Sequence, residues 1–143
     1  MDILESIKKR LGARIINIAQ PSGRRIYISV APTHIVEAAR LAFTELGCRF
    51  AIATGIDTPQ GFEILYHFSH DTSGEMITFK VLLEDKGKPQ IDSITPVVRA
   101  AEWIEREIWE LLGIQFRHHP NLKHLLLKED WPEGDYPLRQ KGS

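Results

Sequence analysis

Apolar and polar positions along this chain follow two periods, near 3.6 and near 2, and the switches between them mark the elements. Ile3, Leu4, Ile7 and Leu11 share a helical face, with Asp2 placed to cap the helix and Gly12 to stop it. Arg14 to Ile18 and Arg25 to Val30 read as strands around a Pro21-Ser22-Gly23 turn, and Ile26, Ile28 and Val30 fall on one side of the second. Pro32 and Thr33 open a helix to Leu46 that buries Ile35, Ala38, Ala39, Ala42 and Leu46, and Gly47 closes it. Four strands follow: Phe50 to Thr54, Phe62 to Phe68, Met76 to Leu83 and Gln90 to Ile94. Turn residues separate them, so neighbours are expected to pair antiparallel.

The third helix organises the chemistry. Thr95 is placed to cap it, Pro96 fits its first position, and Gly113 ends it. Val97, Ala101, Ile104, Ile108, Leu111 and Leu112 fall on one arc that must be buried. Glu105 lies on that same side and Glu107 near the arc's other edge, while Trp103 and Trp109 lie outside it. A carboxylate at an apolar face demands a partner, either an arginine of the same domain or a group on another chain. The pattern as a whole predicts an α+β fold, a mostly antiparallel sheet with helices packed on a face. It is expected as one domain over residues 1–128, with an extended, partner-binding tail over 129–143 that is rich in Pro, Gly and charge.

Composition narrows the function classes. The 143 residues suffice for one core, and 18 basic against 19 acidic residues, with no Lys/Arg block, argue against nucleic acid or an anionic membrane as main partner. The lone Cys48 forms no internal disulfide, suits a reducing compartment, and excludes a self-contained iron–sulfur cluster, which takes about four thiolates. No apolar run approaches the ~20 residues that span a bilayer, and the N-terminus lacks a signal-peptide core. The chain is therefore expected to be soluble in itself, with any membrane contact made through a complex.

Candidate catalytic sets are thin. His67 and His70 sit on a strand and its turn, and His118, His119 and His124 follow the third helix. Zinc needs such pairs brought together with carboxylate or thiolate help, yet each pair diverges by its spacing. The serines stand in ordinary strand and turn contexts, there is no G-x-S-x-G, and Gly55 and Gly61 are too far apart to cradle a phosphate. Glu102 and Arg106 are spaced as a solvated helical ion pair. What stands out is a concentration of binding-type residues towards one end: Trp103, Arg106, Trp109, Phe116, Arg117, His118, His119, Trp131, Tyr136 and Arg139.

The run Glu105-Arg106-Glu107-Ile108-Trp109-Glu110-Leu111-Leu112-Gly113-Ile114, then Phe116, His119-Pro120-Asn121-Leu122 and Leu125-Leu126-Leu127, resembles the signature of the 30 kDa subunit family of respiratory complex I. Asp130-Trp131 and Pro137-Leu138-Arg139 resemble that family's tail. Respiratory members usually carry Gly-His-Pro-Leu-Arg where this chain has Gly134-Asp135-Tyr136-Pro137-Leu138-Arg139, and they commonly continue beyond it. A short chain with this tail looks more like the counterpart in membrane-bound, energy-converting nickel–iron hydrogenases and formate hydrogenlyase complexes. The resemblance implies a non-catalytic subunit of a cytoplasmic arm, peripheral on the inner face of the cell membrane. It implies no cofactor in this chain. The nickel–iron or quinone site and the iron–sulfur clusters would belong to a large hydrogenase-like subunit, a small iron–sulfur subunit and a ferredoxin-like subunit. The expected interface is Trp103, Glu105, Arg106, Glu107, Trp109, Phe116, His118, His119, Trp131, Tyr136 and Arg139. The rivals are a small stand-alone enzyme using histidine or zinc, and an adaptor for an unrelated protein.

Overall fold

The structure is a computed structural model that describes residues 2–121 and residue 139. Helix α1 spans Ile3–Leu11, capped by the Asp2 carboxylate, which accepts from the Glu5 amide at 2.8 Å. Strands β1 (Ile15–Ser22) and β2 (Arg25–Val30) form a hairpin. The helical stretch that follows contains α2 (Ile35–Arg40), entered through a 3-10 turn at Pro32–His34 and left through a π turn at Leu41–Glu45. Strands β3 (Arg49–Thr58), β4 (Gly61–His70) and β5 (Glu75–Leu83) run on from it. Then come β6 (Gln90–Asp92), α3 (Ala101–Leu112) and β7 (Gln115–Arg117).

The five long strands make one sheet in the order β1-β2-β5-β4-β3. The pairs β1/β2, β3/β4 and β4/β5 are antiparallel, and β2/β5 is parallel. The α+β architecture expected from the pattern is present. Strand β4 shows why: Phe62, Ile64, Tyr66 and Phe68 alternate inward and are fully or almost fully buried, while the residues between them are half-exposed. Phe68 meets Phe50 at 5.4 Å and Phe79 at 5.9 Å, both edge-on. All three helices contribute to the same core as these strands, through Ile3, Ile7 and Leu11, Ile35, Ala38 and Ala39, and Ile108 and Leu112. On the other face of the sheet, the edge strand β3 leaves Ile52 50 % and Ile56 39 % exposed.

Several elements differ from expectation, among them β1, which runs through Pro21 and Ser22 where a turn is expected. The third helix begins at Ala101 rather than Pro96, and Ala100 supplies no side-chain cap. Residues 94–100 form tight turns in which the Val97 and Val98 amides both donate to the Ile94 carbonyl, at 2.9 and 2.8 Å. Thr95 does not cap; its hydroxyl is held by Ser93 Oγ at 2.7 Å. Strand β6 does not join the main sheet but pairs in parallel with β7, Ile91 opposite Phe116. Three residues are too few for alternation to reveal, which is why β7 escapes a reading by period. The π turn after α2 lengthens the repeat, with the Leu46 amide bonding to the Leu41 carbonyl at 2.9 Å, and so Leu41 is buried while Leu46 is half-exposed. Among the described residues, no helix is long and apolar enough to cross a membrane.

Candidate interaction site

Helix α3 lies along β3 at Gly55. A Cβ there would meet Leu112 Cδ1 at 2.8 Å and Ile108 Cγ2 at 3.0 Å, so the absence of a side chain sets how closely helix and strand approach. This placement turns Glu105 fully into the interior. The arginine or foreign partner expected for it is replaced by local groups. Ser93 Oγ donates to Oε1 at 2.6 Å and the Ile94 amide donates to Oε2 at 2.9 Å. Glu105 therefore ties α3 to the segment that precedes it. Burial raises its pKa to about 7, against the pull of those two hydrogen bonds. The buried Tyr66 hydroxyl has no hydrogen-bond partner among the described residues, and burial together with the Glu105 charge pushes its pKa well up. Ser93 and Tyr66 are invisible as site residues in the sequence, since nothing local distinguishes them from other strand positions.

On the outer side of α3 the order of exposure reverses. Trp103 is 60 % exposed, whereas Arg106 is only 4 % exposed. The Arg106 guanidinium stacks 4.6 Å from the Trp103 ring centre instead of forming the solvated pair with Glu102 that the spacing predicts. Such stacking contributes about 0.5–1 kcal/mol at an exposed ring. Its Nη1 reaches the Asn121 carbonyl at 3.5 Å, and its Nε has no partner among the described residues. Beyond β7 the chain takes a left-handed turn at His118, φ 68°, which folds His119 back onto the helix. The Asn121 amide donates to His119 Nδ1 at 3.0 Å, which leaves Nε2 to donate to the Glu102 carbonyl at 2.8 Å. Glu107 lines a groove of about 250 Å³ with Ile104, Leu111 and, from β3, Ile52 and Thr54.

The remaining expected interface residues divide. Phe116 is 2 % exposed, because β7 turns it into the core, so it offers no surface. Trp109 is half-buried and packs against the core. Arg117 is exposed and its Nε pairs with Asp92 at 2.8 Å, joining β7 to β6. Arg139 returns to the domain. Its Nε donates to the Leu112 carbonyl at 2.6 Å and its guanidinium lies 5.1 Å from the Phe62 ring centre. It thereby supplies cationic charge to the end of α3, whose last turn has no basic residue. Trp131, Tyr136 and His124 lie outside the described residues, as does the tail of 129–143 apart from Arg139.

The strand histidines are engaged one by one. His67 Nδ1 lies 2.7 Å from Thr78 Oγ1, and His70 Nδ1 lies 2.6 Å from Ser73 Oγ. Burial, then the Arg25 charge, lowers the His67 pKa. Among the described residues, no three His, Cys, Asp or Glu side chains converge as a metal site. Cys48 is buried and its pKa is raised to about 11 by burial and by Asp71, which removes thiolate reactivity at neutral pH.

Comparison with known proteins gives this surface a context. The chain is 31 % identical over 119 residues to an NADH-quinone oxidoreductase subunit of Ruegeria pomeroyi, matching 79 % of this chain and 58 % of that one. It is 33 % identical over 144 residues to the NADH-quinone oxidoreductase subunit of the same kind from Roseiflexus sp., matching 96 % and 80 %. Against a longer NADH-quinone oxidoreductase subunit, that of Bacteroides thetaiotaomicron, it is 32 % identical over 97 residues, 66 % of this chain but 18 % of that protein. The chain thus spans under two thirds of the length of the Ruegeria and Bacteroides relatives. Among solved structures, it superposes on a chain of the membrane-bound sulfane sulfur reductase, an archaeal respiratory membrane complex. The TM-score there is 0.82 at 22 % identity, covering 95 % of this chain and 82 % of the other. It also superposes on the trypsin-resistant fragment 1–134 of Nqo5, with TM-score 0.68 at 19 % identity, covering 85 % and 100 %. At these identities the structural likeness is one of fold. Residues 28–142 match the family described as the 30 Kd subunit of respiratory-chain NADH dehydrogenase, and the chain belongs to that family.

Proposed function

We propose that this chain is a non-catalytic structural subunit of a complex I-like oxidoreductase, of the NADH-quinone or membrane-bound nickel–iron hydrogenase kind. The observation that carries this reading is the family match over residues 28–142, which takes in most of the fold and all of α3. In this reading the outer side of α3 and the turn after β7 dock on the large subunit, the one that holds the nickel–iron site or helps form the quinone site. The tail of 129–143 lies along the iron–sulfur subunits, and the complex holds the chain at the inner face of the cell membrane. This chain holds no cofactor of its own; electron transfer belongs to the clusters of its partners. The exposed indole of Trp103 fits an interface, because an amphipathic ring brings large contact area at small entropic cost.

A gentle pull-down of the tagged chain from its native membranes, with mass spectrometry and metal analysis, tests the proposal. The expected result is a large hydrogenase-like or quinone-site subunit accompanied by cysteine-rich iron–sulfur chains, and the sequence of that large subunit separates hydrogenase from respiratory dehydrogenase. Recovery of the chain alone with stoichiometric zinc would sink the reading in favour of a histidine-dependent enzyme.

A further inference from the structure

Among the described residues, Arg106 is a cation without a counter-ion. It is 4 % exposed and forms no ion pair with any of them. Glu102 stands one turn before it on the same helix, and no ion pair joins the two. Its polar contacts are one carbonyl at 3.5 Å and the face of an indole, and its Nε is unmatched among the described residues. A guanidinium removed from water is stable only where its N–H groups and its charge are both answered. Here they are half answered, directly beneath the most exposed large aromatic of α3, Trp103.

We propose that a partner subunit presents an aspartate or glutamate carboxylate to Arg106, entering beside the Trp103 indole and pairing with Nε and a neighbouring Nη. The proposal rests on the subunit reading above and names the partner chemistry of that site. A carboxylate suits the position because the guanidinium fork offers two parallel N–H groups, Nε among them, at the spacing of two carboxylate oxygens. Trp103 then serves two roles. In the separate chain it shields the cation, and in the assembly its ring packs against the incoming chain.

The proposal separates assembly from folding. Arg106→Gln removes a buried, unmatched charge, so the isolated full-length chain is expected to melt at the same temperature or higher. Retention of that variant on the membrane complex, read by quantitative mass spectrometry after pull-down, is expected to fall at least tenfold. A purely structural arginine gives the opposite pair of results, a lower melting temperature with binding lost only in step with folding. That outcome, or undiminished retention, overturns the proposal. A second variant identifies the acid. Arg106→Lys in the assembled complex, treated with a carbodiimide, is expected to form an amide between Lys Nζ and a carboxylate of another chain. Coupling to an acid of this same chain, or none at all in an assembled complex, overturns it. If the wild-type chain recovers no other subunit, the subunit reading itself fails, and that is known before either variant is made.

Discussion

Glu105 is fully buried with a pKa near 7, against an ordinary value of 4.5, so its folded form holds a proton more tightly than its unfolded form. Its effect on stability is therefore set by proton binding to the native state. Below about pH 4.5 both states are protonated and stability is full. As pH rises from 4.5 towards 7 the unfolded chain gives up its proton first, stability declines by about 3 kcal/mol, and above 7 it levels. Thermal melts of the isolated chain across that window are expected to show a falling midpoint that Glu105→Gln flattens. An unchanged slope in the variant would mean the carboxyl titrates normally. Glutamine can accept from the Ile94 amide and donate to Ser93 Oγ, so the variant keeps both attachments that the native carboxylate makes. The nearby Tyr66 hydroxyl calls for the opposite expectation. It is buried with no partner among the described residues, so Tyr66→Phe should be neutral or stabilising by up to about 1 kcal/mol in urea unfolding. A loss of more than that would reveal a bond the hydroxyl makes.

At the scale of elements, close approach rather than propensity decides the packing. Gly61 starts β4 at φ 151°, and a Cβ there would fall 2.3 Å from the Leu83 carbonyl oxygen of β5. No side chain can yield to relieve that contact, because the obstacle is backbone. Gly61→Ala is expected to cost about 2–3 kcal/mol, read as a lower denaturation midpoint at constant m-value. A near-neutral result would show that the β4–β5 end is looser than its register implies. At Gly55 the obstacles are the flexible ends of Leu112 and Ile108, so the same substitution there should cost less. The short parallel pair of β6 and β7 does comparable work with little area. It places Phe116 inside and starts the turn that returns His119 to Glu102.

For the whole molecule, the surfaces left uncovered by its own packing matter most. The helices cover one side of the sheet, and along the α3–β3 seam Glu107 stands half-exposed in an apolar groove. Glu107→Lys is expected to leave the isolated chain's melting temperature within about 2 °C of wild type while lowering its recovery in the membrane complex. Undiminished recovery would count heavily against an interface on this side of α3. Arg139, expected as a partner contact, also donates from its Nε to the last carbonyl of α3, so the described part of the tail touches the domain itself.

Much of this was written into the one-dimensional pattern. Period-2 alternation in β2 and period-3.6 spacing in α1 placed a strand and a helix because each side chain's face follows directly from its position in the repeat. The lone cysteine bounded the cofactor chemistry, and the Glu105 to Ile114 run carried the family. Only tertiary structure could say that Ser93 and Ile94 answer Glu105, that Arg106 is buried under Trp103, or that a residue 27 positions along caps Leu112. Those contacts join positions with no shared local period. A side chain's partner depends on how elements approach in space, and a short pattern along the chain holds no record of that distance.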